Sequence, residues 1–476
     1  MGRRRKPKFF KNVQITGVAD KGKGVGRNEE GQVVFVKGAV VGDVVEVLQT
    51  KKRSKYIEGR IINYESYSED RIEPKCAHFG KCGGCNYQSV PYETQLGYKQ
   101  DLVENAIQRI GKIEPKAFPH ILPCEKTFFY RNKMEFTFSS KKWLEAEELN
   151  NPEISNKEDV LGFHPAGYYN KILDVEKCWL QEDPSNGIRL KSKALAKKYG
   201  MSFFDADAFE GFIRTMIVRI TSTGEIMLIY MFFENDMEKI KPFMDDLLEA
   251  YPTITSLNYS INKKRNNSIY DLDIINYHGK DYITEQLGDV SFKVGPKSFF
   301  QTNSHQAKEL YDKVVEFAGL DGTQNVYDLY TGVGSIALYV AKYAKSVVGI
   351  EEVASAIEDA KENMRLNGIE NCRFYAGDVK NILTDEFAKE HGRPDLVITD
   401  PPRAGMHPSV VEMFLKLESE RIVYVSCNPS TQARDLQVLS EKYEVEKVQA
   451  VDMFPQTYHV ESIALLKLKT ASSDTM

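Results

Sequence analysis

The chain has 476 residues, too many for one hydrophobic core and enough for about three domains. Lysine and arginine total 63 against 68 aspartates and glutamates, a net charge of −5, which excludes a uniformly basic nucleic-acid coat and confines any RNA-binding surface to local patches. No run reaches the roughly 18 apolar residues of a membrane span, and the basic start is followed by no apolar stretch, so neither a membrane segment nor a secretory signal is expected. The seven cysteines, an odd number and unevenly spaced, fit a reducing compartment, and a cytoplasmic location is expected.

The basic residues cluster in Arg3-Arg4-Arg5-Lys6-Pro7-Lys8, in Lys51-Lys52-Arg53-Ser54-Lys55 and in Lys263-Lys264-Arg265. Between residues 10 and 64 come short β-rich runs broken by glycine: Val13-Gln14-Ile15, Val33-Val34-Phe35-Val36, Val44-Val45-Glu46-Val47 and Gly59-Arg60-Ile61-Ile62. That spacing predicts a small closed barrel of the oligonucleotide-binding kind over residues 1–67. The run resembles a TRAM domain, a small RNA-binding barrel appended to RNA-modifying enzymes. Its segment Gly17-Val18-Ala19-Asp20-Lys21-Gly22-Lys23-Gly24-Val25-Gly26-Arg27 has the glycines and cations to bring backbone close to phosphates.

Residues 74–285 read as a mixed α/β domain, with strands at Lys133-Met134-Glu135-Phe136-Thr137-Phe138 and Thr215-Met216-Ile217-Val218-Arg219-Ile220. Residues 143–159 are acidic and Asn-rich and read as an exposed insertion without chemistry. Cys76-x5-Cys82-x2-Cys85, followed at a distance by Cys178, supplies four thiolates. Such a set holds zinc or a four-iron four-sulfur cluster, and spacing alone does not separate the two. Cys124 and Cys372 read as ordinary buried thiols.

Residues 286–476 alternate strands and helices, with a helix near residues 304–319 and strands at 325–329, 346–350, 372–375, 396–399 and 422–425. The alternation predicts a doubly wound, Rossmann-like α/β sheet whose strand carboxyl ends floor the ligand crevice. The first strand runs into Asp328-Leu329-Tyr330-Thr331-Gly332-Val333-Gly334, the second ends at Glu351 and the third at Asp378. A glycine turn admits a ligand to the backbone, and an acid about 20 residues on is placed to accept ribose hydroxyls. Three strand ends in this order resemble the class I S-adenosylmethionine methyltransferases.

The fourth and fifth strands end in Thr399-Asp400-Pro401-Pro402-Arg403 and Val425-Ser426-Cys427-Asn428-Pro429. Asp-Pro-Pro with a following aromatic marks methylation of exocyclic amines, but Arg403 holds the aromatic position here and a cysteine follows on the next strand. Carbon 5 of a pyrimidine is barely nucleophilic; a thiolate adding to carbon 6 makes an enolate that takes a methyl group. A base must then remove the carbon 5 proton, and Glu461 in His459-Val460-Glu461 is the candidate.

Ser298-Phe299-Phe300-Gln301-Thr302-Asn303 together with these segments resembles, in order and over nearly the whole chain, the RNA 5-methyluridine methyltransferase family. The resemblance implies a class I methyltransferase sheet, S-adenosylmethionine contacts at Gln301, Tyr330, Glu351, Asp378 and Asp400, Cys427 as nucleophile and Glu461 as base. It implies an iron–sulfur cluster on Cys76, Cys82, Cys85 and Cys178, as in the ribosomal-RNA members, in preference to zinc. The expected substrate is a single-stranded or loop uridine, which must leave any stack to reach Cys427. It is expected in 23S ribosomal RNA, because transfer-RNA relatives typically lack both the barrel and the four cysteines. Transfer-RNA uridine, RNA cytidine and a non-catalytic RNA-binding role are the alternatives. Met134 to Phe138, preceded by Tyr130-Arg131-Asn132-Lys133, resembles a family segment near the RNA path, and Thr331 departs from the cysteine that relatives often carry there.

Overall fold

The computed structural model describes residues 8–151 and 153–470, so residues 3–7 of the N-terminal basic run lie outside it. Strands β1 (Phe9–Ala19), β2 (Lys23–Arg27), β3 (Val33–Val36), β4 (Val44–Lys52) and β5 (Tyr56–Ser66) close a barrel in the order β1-β2-β3-β5-β4. Alternate residues fill it: Val13, Ile15, Val34, Val36, Val45, Val47 and Ile57 form one buried cluster. A side chain at Gly59 would lie 2.1 Å from Val47 Cγ1, so the crossing of β4 and β5 requires glycine.

The middle of the chain builds a sheet from β6 (Lys133–Ser139), β7 (Val160–Phe163), β8 (Leu173–Asp174), β9 (Ile213–Ile220), β10 (Ile226–Phe232), β11 (Ile254–Ile261) and β12 (Ile275–Gly279). Their order is β12-β11-β10-β9-β6-β7-β8, and helices Ser185–Lys198 and Met237–Ala250 bury their apolar stripes on it. A hairpin, β13 (Ile283–Leu287) and β14 (Val290–Val294), leads onward, so the boundary expected at 285/286 falls inside a paired unit.

The C-terminal sheet comprises β15 (Asn325–Leu329), β16 (Ser346–Glu351), β17 (Cys372–Ala376), β18 (Leu396–Thr399), β19 (Arg421–Ser426), β20 (Tyr443–Val451) and β21 (Glu461–Leu468), ordered β17-β16-β15-β18-β19-β21-β20. The first five strands are parallel and β21 is antiparallel to both neighbours. This is the class I methyltransferase sheet. Its central strands are continuous apolar runs because both faces are covered. One face packs on helix Ser304–Ala318 and the hairpin. The other packs on helices Pro408–Leu417 and Pro429–Leu439 and also on helix Tyr92–Asn105, through Leu96 and Val103. Residues 92–105, read from sequence as part of the middle domain, therefore complete the core of the C-terminal sheet.

Candidate active site

The carboxyl ends of β15, β16, β18 and β19 open onto a cleft of about 1340 Å³. Gln301, Tyr330, Glu351, Asp378 and Asp400 all line it, and so do Cys427 and Glu461. The seven C-terminal residues singled out by sequence therefore share one cavity.

Strand pairing brings Cys427 and Glu461 together. In the β19–β21 ladder Ser426 faces Ser462, so Cys427, the residue just after β19, comes level with Glu461, the first residue of β21. In the β15–β18 ladder Leu329 faces Thr399, which carries Tyr330 and Asp400 to the same edge. Tyr330 has φ +63° and Gly332 +56°, left-handed backbone that bends the chain sharply off β15. Glu351 caps this turn: its carboxylate accepts the Gly332 N–H at 3.2 Å and the Val353 N–H at 2.9 Å. Under the turn, a side chain at Gly349 would sit 2.6 Å from the Phe374 ring. Asp378 accepts the Lys380 N–H at 3.1 Å and pairs with its ammonium at 2.6 Å, which holds its carboxyl below the ordinary range. Gln301 is fixed through its backbone: Asn132 Nδ2 donates to its carbonyl at 2.8 Å, and Arg219 donates to Ser298 at 2.7 Å.

The cleft floor is acidic. Burial raises Asp328 and Asp400 to about 7, Asp400 further through the charge of Asp328. Burial and Asp400 push Glu461 well above the usual carboxylate range, against the opposing pull of Arg403. Burial, then Glu461 and Asp400, raise the Cys427 thiol to about 11, and Arg403 acts the other way. With protein groups alone, the thiol keeps its proton at neutral pH and the candidate base is biased toward its protonated form. Negative charge this concentrated favours a cationic ligand, whose presence would release protons from the same groups.

Three features of the cleft were not singled out from sequence as site residues. Asp328 accepts from Thr331 Oγ1 and the Ala337 N–H through Oδ2, while Oδ1 has no partner and is buried. Tyr311 pairs with Ser335 Oγ at 2.9 Å beneath the carboxyls; it lies on the apolar stripe of its helix and so reads as core. Arg131 stands 5.5 Å from the Phe454 ring on the cleft wall, beside His459.

Cys76, Cys82, Cys85 and Cys178 are free thiols, three on the segment 76–85 and one far along the chain. Burial raises Cys82 to about 11 and Cys85 to about 12, and in both cases the charges of the other thiols add to the effect, as mutual neighbours do. Among the described residues no group of three or more His, Cys, Asp or Glu side chains is arranged to hold a metal ion. Cys124 and Cys372 are buried, as expected. No described helix is long and apolar enough to cross a membrane.

The family model for tRNA (uracil-5-)-methyltransferase matches residues 273–469, and that for the TRAM domain matches residues 10–62. The chain is 50% identical to an uncharacterized RNA methyltransferase of Bacteroides thetaiotaomicron over 92% of its own length and 97% of that protein. It is 47% identical to one of Porphyromonas gingivalis, over 96% and 100%. Among solved structures, the Pyrococcus abyssi tRNA (uracil-54, C5)-methyltransferase in complex with S-adenosyl-L-homocysteine superposes with a TM-score of 0.75 at 28% identity, covering 96% of this chain and all of that one. The chain belongs to the uracil-5-methyltransferase family of RNA methyltransferases and is an S-adenosylmethionine-dependent enzyme with an N-terminal TRAM barrel.

Proposed function

We propose that the enzyme methylates carbon 5 of a uridine through a covalent adduct on Cys427. The observation that carries this reading is the β19–β21 register, which sets a thiol and a carboxyl side by side at the edge of the acidic cleft. The methyl group is supplied by S-adenosylmethionine, for which Gln301, Tyr330, Glu351, Asp378 and Asp400 are the proposed contacts. Cys427, as its thiolate, adds through Sγ to carbon 6 of the uracil, and the enolate formed takes the methyl group on carbon 5 as the methyl–sulfonium bond breaks with its pair on sulfur, leaving a neutral thioether. Glu461 then accepts the carbon 5 proton, the carbon 5–carbon 6 double bond re-forms, and the thiolate leaves.

Cys76, Cys82, Cys85 and Cys178 are proposed to hold a four-iron four-sulfur cluster. Their donor chemistry is four thiols, and burial with the charges of the neighbouring thiols raises Cys82 and Cys85, which therefore ionise readily only beside added positive charge. Methyl transfer from a sulfonium consumes no electron, so these residues are proposed to brace the chain near the RNA. A barrel unit over residues 1–67, a middle unit over residues 74–285 from which residues 92–105 and the start of the 283–294 hairpin pass to the catalytic unit, and a cytoplasmic location complete the proposal.

Ribosomal RNA is the proposed substrate. A specific observation favours transfer RNA as the second reading. The Pyrococcus abyssi tRNA (uracil-54, C5)-methyltransferase covers 96% of this chain, so a transfer-RNA enzyme spans the lengths that hold the barrel and the cysteines. Methyl-labelled S-adenosylmethionine and RNA from cells lacking the gene decide between them. After separation of ribosomal and transfer RNA and digestion to nucleosides, 5-methyluridine label in ribosomal RNA supports the first reading. Label in transfer RNA supports the second, and label in another nucleoside contradicts both.

A further inference from the structure

Residues 452–460 connect β20 to Glu461, and residues of the barrel, of the segment 86–130 and Asn303 grip them. Gln456 stands at the centre, buried, with φ +68°, a conformation a non-glycine residue keeps only where its surroundings impose it. Its carbonyl accepts two backbone N–H groups, from Asn86 at 2.8 Å and Tyr87 at 3.0 Å, the two residues that follow Cys85. Its own N–H donates to Gln95 Oε1 at 3.0 Å, and its Oε1 accepts from Gln95 Nε2 at 3.1 Å. Its Nε2 donates to the carbonyl of Thr127 at 3.4 Å.

The neighbouring residues repeat the pattern. Asp452 is fully buried and paired with Lys99 at 2.5 Å, and it accepts the Tyr92 hydroxyl at 2.8 Å. Lys99 also donates to the carbonyl of Phe454 at 3.0 Å, and Tyr130 donates to that of Pro455 at 2.9 Å. Asn303 Nδ2 holds the carbonyl of Met453 at 2.9 Å. The barrel closes the remaining side: a side chain at Gly22 would lie 3.1 Å from Tyr458 Cβ, and Val18 and Val40 pack with Tyr87, Tyr98 and Tyr458.

We propose that Gln456 is a positioning residue for Glu461, and that through it the cysteine-bearing segment and the helix Tyr92–Asn105 set where that carboxyl meets the methylated uracil. The inference rests on Glu461 being the base. A general base works only within hydrogen-bond reach of its proton, so a small displacement of this turn slows one step selectively. That step is release: the carboxylate takes the carbon 5 proton, the C–H electron pair becomes the carbon 5–carbon 6 double bond, and the carbon 6–sulfur bond breaks with its pair on sulfur. Addition of Cys427, at the end of a different strand, is left intact. A residue that merely held the fold together would slow all steps alike.

The test uses the full-length enzyme with RNA from cells lacking the gene and methyl-labelled S-adenosylmethionine. Gln456→Gly tolerates the positive φ and removes the side-chain bonds, and Gln95→Met removes the facing partner at similar volume. Glu461→Gln and Gln456→Asn run in parallel, and the melting temperature of each variant is recorded. Labelled, denaturant-stable protein–RNA adduct is expected to accumulate about tenfold over wild type in the first two variants and in Glu461→Gln, with Gln456→Asn close to wild type. Trapping by 5-fluorouridine-substituted RNA is expected to stay within about twofold of wild type. Accumulation in Glu461→Gln but in neither glutamine variant overturns the inference and leaves the base assignment standing. No accumulation in Glu461→Gln removes the base assignment and the inference with it.

Discussion

Asn428 donates its side-chain amide to the carbonyl oxygen of Arg403 at 2.9 Å, tying the turn after Cys427 to the Asp400-Pro401-Pro402-Arg403 loop. The same carbonyl accepts Thr431 Oγ1 at 3.3 Å, and Arg434 reaches the carbonyls of Ala404 and Met406 at 3.1 and 3.3 Å. Two strand ends that meet the substrate separately are thus one rigid piece, and the Arg403 charge stays within reach of Cys427 and Glu461.

Gly405 makes that piece possible. Its φ is +79°, and a methyl group there would lie 2.6 Å from Arg434 Nη2 and 2.8 Å from Asp435 Oδ2. Gly405→Ala is expected to cost about 1–3 kcal/mol of stability by urea unfolding and to lower the rate of adduct formation more than RNA affinity. Equal losses in both would contradict a role for the loop in placing Arg403.

The raised carboxyls make stability depend on pH in a definite direction. Asp328, at about 7, binds its proton more tightly folded than unfolded, so its contribution is complete below the unfolded value near 4 and is lost as pH rises through about 7. The melting temperature of the ligand-free enzyme should fall between about pH 4 and 7 and level off above that. S-adenosylmethionine should remove most of that fall. In Asp328→Asn the amide oxygen can keep both acceptor contacts while its NH2 takes the side where Oδ1 has no partner, and the profile should flatten. An unchanged profile would mean that Asp328 is not the group that titrates.

Asp400 opposes ionisation of Cys427. Asp400→Asn should therefore abolish methylation while accelerating alkylation of Cys427 by iodoacetamide at pH 8, read by peptide mass spectrometry. Slower alkylation in the variant would remove Asp400 from the thiol's electrostatic surroundings.

Much of this arrangement was legible in the sequence, because the strand ends of a parallel sheet are apolar runs that stop at reactive residues. Leu396–Thr399 and Arg421–Ser426 are such runs, and the family's motifs sit on them in order. The antiparallel register that sets Cys427 level with Glu461 was not legible, since nothing local in residues 461–468 fixes which neighbour the last strand pairs with or in which direction. Tyr311 was hidden because its hydroxyl rides on an apolar helix face. The role of residues 92–105 in the C-terminal core was hidden by sequence distance, since their partners lie more than 300 residues away.

Lys99 and Asp452 span that distance as a fully buried pair at 2.5 Å. Lys99→Met leaves a buried carboxylate without its cation and should cost about 3 kcal/mol or more by urea unfolding. Lys99→Met combined with Asp452→Asn should recover part of the loss; no recovery would show that packing around Lys99, not the charge pair, holds the helix to the sheet.

Covalent catalysis is the centre of this account. The direct measurement is incubation with S-adenosylmethionine and 5-fluorouridine-substituted RNA from cells lacking the gene, then denaturing electrophoresis and mapping of the linked peptide. Fluorine cannot leave carbon 5 as a proton does, so a denaturant-stable adduct at Cys427, absent in Cys427→Ala, is the predicted result. Bound cofactor with no adduct, while unsubstituted RNA is still methylated, would contradict it.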